Sequence, residues 1–150
     1  MNPTADIRHL LVAHDFSETS GAALDYALGL AKKLGARVTV VHAYEIPSHG
    51  APEVLVLATD WIKQFEVVAR EALDKVIARV RKRSLDAAPV LRKGAAWREI
   101  NAAAEETKAD LIVIGSEGRT GVGRALLGSV AEKVVRTAPC PVLVVRRGAP

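Results

Sequence analysis

Leu111, Ile112, Val113 and Ile114 follow one another with no polar residue among them, bounded by Asp110 and Gly115. Successive side chains of a β-strand face opposite ways, so an unbroken apolar run describes a strand covered on both faces. A parallel sheet provides that cover, because each parallel neighbour is reached through a helical crossover that packs back onto the sheet.

Strand-like and helix-like stretches alternate along the rest of the chain. Short apolar or β-branched runs occur at His9 to Ala13 and Val38 to Val41, a weaker one at Val90 to Arg92, and a last one at Val142 to Val145, entered through Pro139 and Pro141. After the first run Ser17 offers a cap, Ala23, Ala27, Leu30, Ala31 and Leu34 share one helical face, and Gly35 offers a stop. Pro47, Gly50 and Pro52 signal a loop between Tyr44 and Ala58, although Val54 to Leu57 is apolar enough to belong to something packed, and the role of this segment stays open. Ile62, Phe65, Ala69, Leu73, Val76 and Val80 recur at spacings of three and four, which predicts a long helix ending near Arg83. Trp97 to Thr107 reads as a helix with Ile100, Ala103 and Ala104 inward, and Ser129 to Thr137 as another.

This order describes an α/β fold: a single domain over residues 1–150 holding one doubly wound, mainly parallel five-stranded sheet with helices on both faces. Composition agrees, since 49% hydrophobic residues with only 4% aromatics leave Ala, Val, Leu and Ile to build the core. Ligands of such sheets bind beyond the carboxyl ends of strands, where the winding reverses. Two segments fall there: His14 to Ser17, and the chain from Gly115 onward.

Lys and Arg number 21 against 17 Asp and Glu, a formal charge of +4. Arg79, Arg81, Lys82 and Arg83 cluster at a helix end, where cations complement the helix dipole and face water. Nucleic acid is not expected as a partner, because it would call for a basic face with exposed aromatics. Met1 to Asp6 is polar and no apolar run approaches the roughly 18 residues of a span, so neither export nor a membrane anchor is expected. Cys140 has no second cysteine to pair with and no Cys/His cluster has zinc spacing, which suits a reducing, cytoplasmic setting.

From Gly115 the chain reads Gly-Ser-Glu-Gly-Arg-Thr-Gly-Val-Gly-Arg-Ala-Leu-Leu-Gly-Ser-Val and then enters a helix, with Ser129 and Glu132 spaced as a capping box. Glycines admit close approach of a ligand, and free N–H groups at Gly128, Ser129 and Val130 would suit an anion. A plain loop followed by a capped helix is the competing reading. A P-loop is absent, and Gly121 to Leu126 lacks the third glycine of a dinucleotide fingerprint.

Gly115, Gly118, Gly128 and Ser129 do meet the pattern G-x2-G-x9-G-[ST], with residues 119 to 127 as the nine spacers. In this the chain resembles the nucleotide-binding universal stress proteins, and the likeness extends through Leu-Val-Ala-His-Asp-Phe-Ser at 11 to 17, Val41-His42, and Pro-Val-Leu-Val-Val at 141 to 145. The resemblance implies an adenine nucleotide alpha hydrolase-like sheet whose first and fourth strands are neighbours, bringing Asp15 opposite Gly115. It implies ATP as ligand, with Mg2+ or Mn2+. Asp15 and the backbone near Ala13 and Ala43 would meet adenine or ribose, and Gly115, Gly118, Gly128, Ser129 and Val130 would hold ribose and phosphates. Asp15 also has a purely structural reading, as a cap of the following helix.

The implied role is a nucleotide-dependent regulator of the stress response. Slow ATP hydrolysis or phosphoryl transfer is the alternative, although no nucleophile and oriented base stand in a recognisable spacing. A nucleotide-independent interaction module is the third reading, and the intact glycine pattern argues against it. An apolar terminal strand at Val142 to Val145, together with the resemblance, predicts a homodimer joined along that edge. Glu117 departs from the family, which often carries a neutral residue or a histidine there, and is the one candidate to face a metal beside phosphate. Arg119 and Arg124 read equally as phosphate contacts or solvated side chains. His14 and His42 read as hydrogen-bonded structural residues, Trp61 and Trp97 as core or interface, and Cys140 as buried and inert.

Overall fold

The computed structural model describes residues 6–46, 52–117 and 126–148, with the backbone alone over 52–58. Nine elements alternate along them: β1 (His9–Ala13), α1 (Glu18–Leu34), β2 (Arg37–Tyr44), α2 (Pro52–Lys82), β3 (Ala88–Lys93), α3 (Ala96–Thr107), β4 (Leu111–Gly115), α4 (Ser129–Thr137) and β5 (Val142–Val145). The strands form one sheet in the order β3-β2-β1-β4-β5, and every neighbouring pair is parallel. The expected doubly wound α/β sheet is therefore observed, and β1 and β4 meet at the point where the winding reverses.

Period-two alternation divides the core in two. Leu10, Val12, Val38, Val40, Leu111 and Val113 face α1 and α2, where Ala23, Ala27, Leu73 and Val76 cover them. Leu11, Ala13, Val41, Ile112 and Ile114 face α3 and α4, where Ile100, Ala103, Ala104, Ala131 and Val134 cover them. The apolar run at 111–114 thus feeds both layers, as a strand buried on both faces must.

Several boundaries differ from the sequence reading. β2 runs on to Tyr44 and β3 spans Ala88–Lys93, because ladder partners from Thr39↔Ala88 to Tyr44↔Lys93 extend both strands beyond their apolar centres. α2 begins at Pro52, a position where proline's missing N–H costs nothing, so 52–58 is helix and not loop; residues 47–51 lie outside the described residues. On α2, Ala69, Leu73, Val76 and Val80 are buried as expected, whereas Phe65 is largely exposed and Trp61 is 69% exposed. The reason is length: 31 residues of helix extend about 46 Å, against about 26 Å for the eight residues of β2, so the first half of α2 has no sheet beneath it. On α1, Leu34 is exposed at the helix end, and Leu24 and Leu28 join Ala23, Ala27 and Ala31 in the core.

The β1–α1 turn is built from its own side chains. Ser17 caps α1 by accepting from the Ser20 amide at 3.2 Å, and Gly35 closes the helix in the left-handed conformation, φ 66°. Phe16 also takes positive φ (68°), which its packing at 4.2 Å between ring centroids against His42 helps to hold. The Phe16 N–H donates to His14 Nδ1 at 3.1 Å, so that nitrogen must carry a lone pair and the ring is neutral. Burial pushes the His14 imidazole down to about 4, opposed by Asp15 and assisted by His42 and Arg79.

Two outcomes are expected. A Cβ at Gly115 would lie 2.8 Å from Thr19 Cγ2 and 3.2 Å from the Thr19 carbonyl carbon, so Gly115→Ala should destabilise by about 1–3 kcal/mol in urea unfolding. Adding Thr19→Ser removes the methyl and should recover part of that loss; an unchanged midpoint for Gly115→Ala contradicts the tight fit. For His14, the unfolded chain takes up a proton near pH 6.5 and the folded chain only near 4, so stability falls as pH drops through that window. The loss reaches about 3 kcal/mol, and His14→Asn should show a shallower dependence between pH 7 and 4.5. Identical slopes in both proteins would rule out His14 as the source.

Candidate functional site

A cavity of about 320 Å3 opens at the carboxyl ends of β1 and β4, on the α3/α4 side of the sheet. Ala13, Val41, Ala43 and Ile100 supply apolar wall; His14, Asp15, Ser20, Glu117 and Ser129 supply polar side chains. Of the residues singled out from sequence, Ala13, Asp15, Ala43, Gly115, Glu117, Gly128, Ser129 and Val130 all line this one space. Gly118, Arg119 and Arg124 lie outside the described residues.

Each side of the cavity has a local cause. The β1 end is held by the His14 amide donating to the Val41 carbonyl at 2.9 Å, while His42 Nδ1 donates to the His14 carbonyl at 2.7 Å. This is the structural role read for both histidines. Asp15 Oδ1 accepts from the Ser17 amide at 3.0 Å and from the Ser17 hydroxyl, so its carboxylate braces the cap of α1 while the residue remains part of the cavity wall. Asp15 therefore supports the Ser17 cap without being the N-cap itself, and it also lines the cavity.

At the β4 end, the Ser116 amide donates to the Val145 carbonyl at 2.9 Å, and the Gly128 amide donates to the Ser116 carbonyl at 2.7 Å. The N-terminus of α4 is thus tied directly to the end of β4. Two expectations are corrected here. The Gly128 N–H is not free, because it forms that tie. Ser129 is not the cap of a capping box either: Gly128 occupies the N-cap position with φ −59° and ψ 153°, and Ser129 is the first helical residue. The first helical bond runs from the Glu132 amide to the Gly128 carbonyl at 2.9 Å. The amides of Ser129, Val130 and Ala131 precede it, and among the described residues no side chain caps this end. With the positive end of the helix dipole, they form an anion-receptive corner of the cavity.

Sequence reasoning did not single out Ser20, Ala96, Ile100, Ile114 or Ala131 as part of the site. Ile100 carried only a core-facing signal, and its place in the cavity wall follows from how α3 packs on the sheet. Among the described residues no group of three or more His, Cys, Asp or Glu stands ready to hold a metal, so Glu117 has no partner set of that kind. Trp97 packs partly against the α3/α4 core with the Arg98 guanidinium 5.1 Å over its ring. Cys140 is only half-buried, and burial pushes its thiol up, away from the reactive thiolate. No helix of the described residues is long and apolar enough to cross a membrane.

Comparison with known proteins gives a consistent result. Residues 6–146 match the model of the universal stress protein family. A universal stress protein of Thermus aquaticus is 40% identical over 143 residues, covering 91% of this chain and 97% of its own length. One from Methanocaldococcus jannaschii is 34% identical over 146 residues, covering 93% and 82% respectively. Among solved structures, a universal stress protein from Lactobacillus plantarum superposes with a TM-score of 0.82 at 24% identity, over 93% of this chain and 98% of that one, a likeness of fold. Two others were solved with nucleotides: a universal stress protein in complex with cAMP, with a TM-score of 0.69, 25% identity and coverage of 93% and 97%, and one from Archaeoglobus fulgidus in complex with dAMP, with a TM-score of 0.62, 25% identity and coverage of 92% and 96%. The family match over nearly the whole chain, joined to the β3-β2-β1-β4-β5 sheet, establishes that this chain belongs to the universal stress protein family.

Proposed function

We propose that this chain is an ATP-binding universal stress protein, acting in the cytoplasm as a nucleotide-dependent regulator of the stress response. One observation carries the reading above the rest. The uncapped amides at the start of α4 share a cavity with the apolar wall of Ala13, Val41, Ala43 and Ile100, so an anionic group and a flat apolar ring have adjoining places. The glycine pattern at Gly115, Gly118, Gly128 and Ser129 and the cAMP and dAMP complexes of related folds support it. In this reading Ala13, Asp15 and Ala43 meet the nucleoside, and Gly115, Gly118, Gly128, Ser129 and Val130 meet ribose and phosphates. A Mg2+ or Mn2+ ion would be held mainly by phosphate oxygens and water, since the described residues provide no cage for it.

The direct test is calorimetric titration of ATP into the purified protein, with mass spectrometry of small molecules released on denaturation. Gly128→Val should keep the circular dichroism of the wild type, because Gly128 has a backbone conformation open to any residue. It should lose ATP affinity by at least about tenfold, because Gly128 lines the cavity next to the α4 amides and a branched side chain there takes up ligand space. Unchanged affinity in a folded variant would mean that the glycine pattern is structural.

We further propose a homodimer joined along β5. This strand pairs only with β4 among the described strands, and all four of its residues are half-buried, which leaves an apolar edge with unpaired backbone groups. Sedimentation at micromolar concentration should give a dimer, and Val144→Lys should shift it toward monomer while the far-ultraviolet spectrum is retained. A wild-type monomer at that concentration removes the proposal.

A further inference from the structure

We infer that Glu117 makes this cavity choose among adenine ligands by phosphate charge, favouring adenosine and singly charged nucleotides and admitting the triphosphate as its divalent-metal complex. The inference rests on the nucleotide reading above. The bond from the Gly128 amide to the Ser116 carbonyl holds the α4 N-terminus one residue away from Glu117. Glu117, Gly128, Ser129 and Val130 then line one cavity, so an acidic residue borders the same space as the amides that would receive phosphate.

Charge decides what such an arrangement prefers. The helix contributes roughly half a positive charge at its N-terminus, fading within a turn, whereas Glu117 contributes a full negative one. Asp15 is a second carboxylate in the lining, and the described lining includes no Lys or Arg. His14 adds nothing positive near neutral pH, being held neutral by burial. The amides therefore suffice for a ligand of little charge, while Glu117 opposes each added phosphate charge. At about 6 Å and an effective dielectric near 40, a carboxylate weakens binding by about tenfold per unit of ligand charge. A divalent cation on the phosphates reverses that term, since hydrated Mg2+ accepts one or two carboxylates together with phosphate oxygens.

Titration calorimetry of adenosine, AMP and ATP into wild type and Glu117→Gln, each in EDTA and in Mg2+, tests the inference. Glu117→Gln should leave adenosine affinity unchanged, strengthen metal-free ATP by about tenfold or more, and show a smaller gain from Mg2+ than wild type. Equal affinities of the two proteins for metal-free ATP, with adenosine bound by both, would overturn the role of Glu117 and leave the nucleotide reading standing. Failure of both proteins to bind any of the three ligands, with or without Mg2+, would overturn the nucleotide reading and this inference together.

Discussion

The parallel pairing of β1 with β4 is the contact on which the rest of the molecule depends. Leu10, Leu11 and Val12 lie opposite Leu111, Ile112 and Val113, and all six are buried with at most 7% exposure. Because these residues feed both faces, neither strand is stable until helices cover both sides of the sheet. The crossovers from β1 and β2 go to one face, and those from β3 and β4 go to the other. The chain therefore diverges at the carboxyl ends of β1 and β4, and the cavity is the space left by that divergence.

Polar residues around the cavity serve the fold and the site at once. Asp15 braces the cap of α1 and still belongs to the wall, while His14 accepts a backbone hydrogen bond that holds its ring neutral. Neutrality here is imposed by the fold, since charging the ring would break the Phe16 contact and expose a cation to an apolar interior. The glycines of the 115–129 segment differ in what they do. Gly115 is required by packing, because Thr19 of α1 leaves no room for a Cβ. Gly128 has an ordinary backbone conformation and acts as an N-cap without a side chain, which leaves the first amides of α4 without a side-chain cap.

Much of the fold was legible because its signals are local. The apolar run at Leu111 to Ile114, the Ala23-Ala27-Ala31 face and the Ser17 and Gly35 caps each depend on a few adjacent residues, and each was found where expected. The exposure of Trp61 and Phe65 was not legible, since their spacing is that of a buried helix face. A periodic pattern shows which residues share a face, and says nothing of whether a sheet lies beneath it. The same holds for Ser129, whose spacing to Glu132 matches a capping box although the helix enters one residue earlier.

From the amino-acid order alone came the class of fold, the five strands, the family resemblance and most residues of the candidate site, because hydrophobic period, turn residues and a spaced glycine pattern are all written along one dimension. Tertiary structure decided which of those residues share a space and which groups remain available there. The Gly128 amide turned out to be bound to Ser116, and Ile100 of α3 shares the cavity with Asp15 and Gly128. A hydrogen bond between residues 12 positions apart, and a cavity shared by six elements, arise only when chain segments converge in three dimensions.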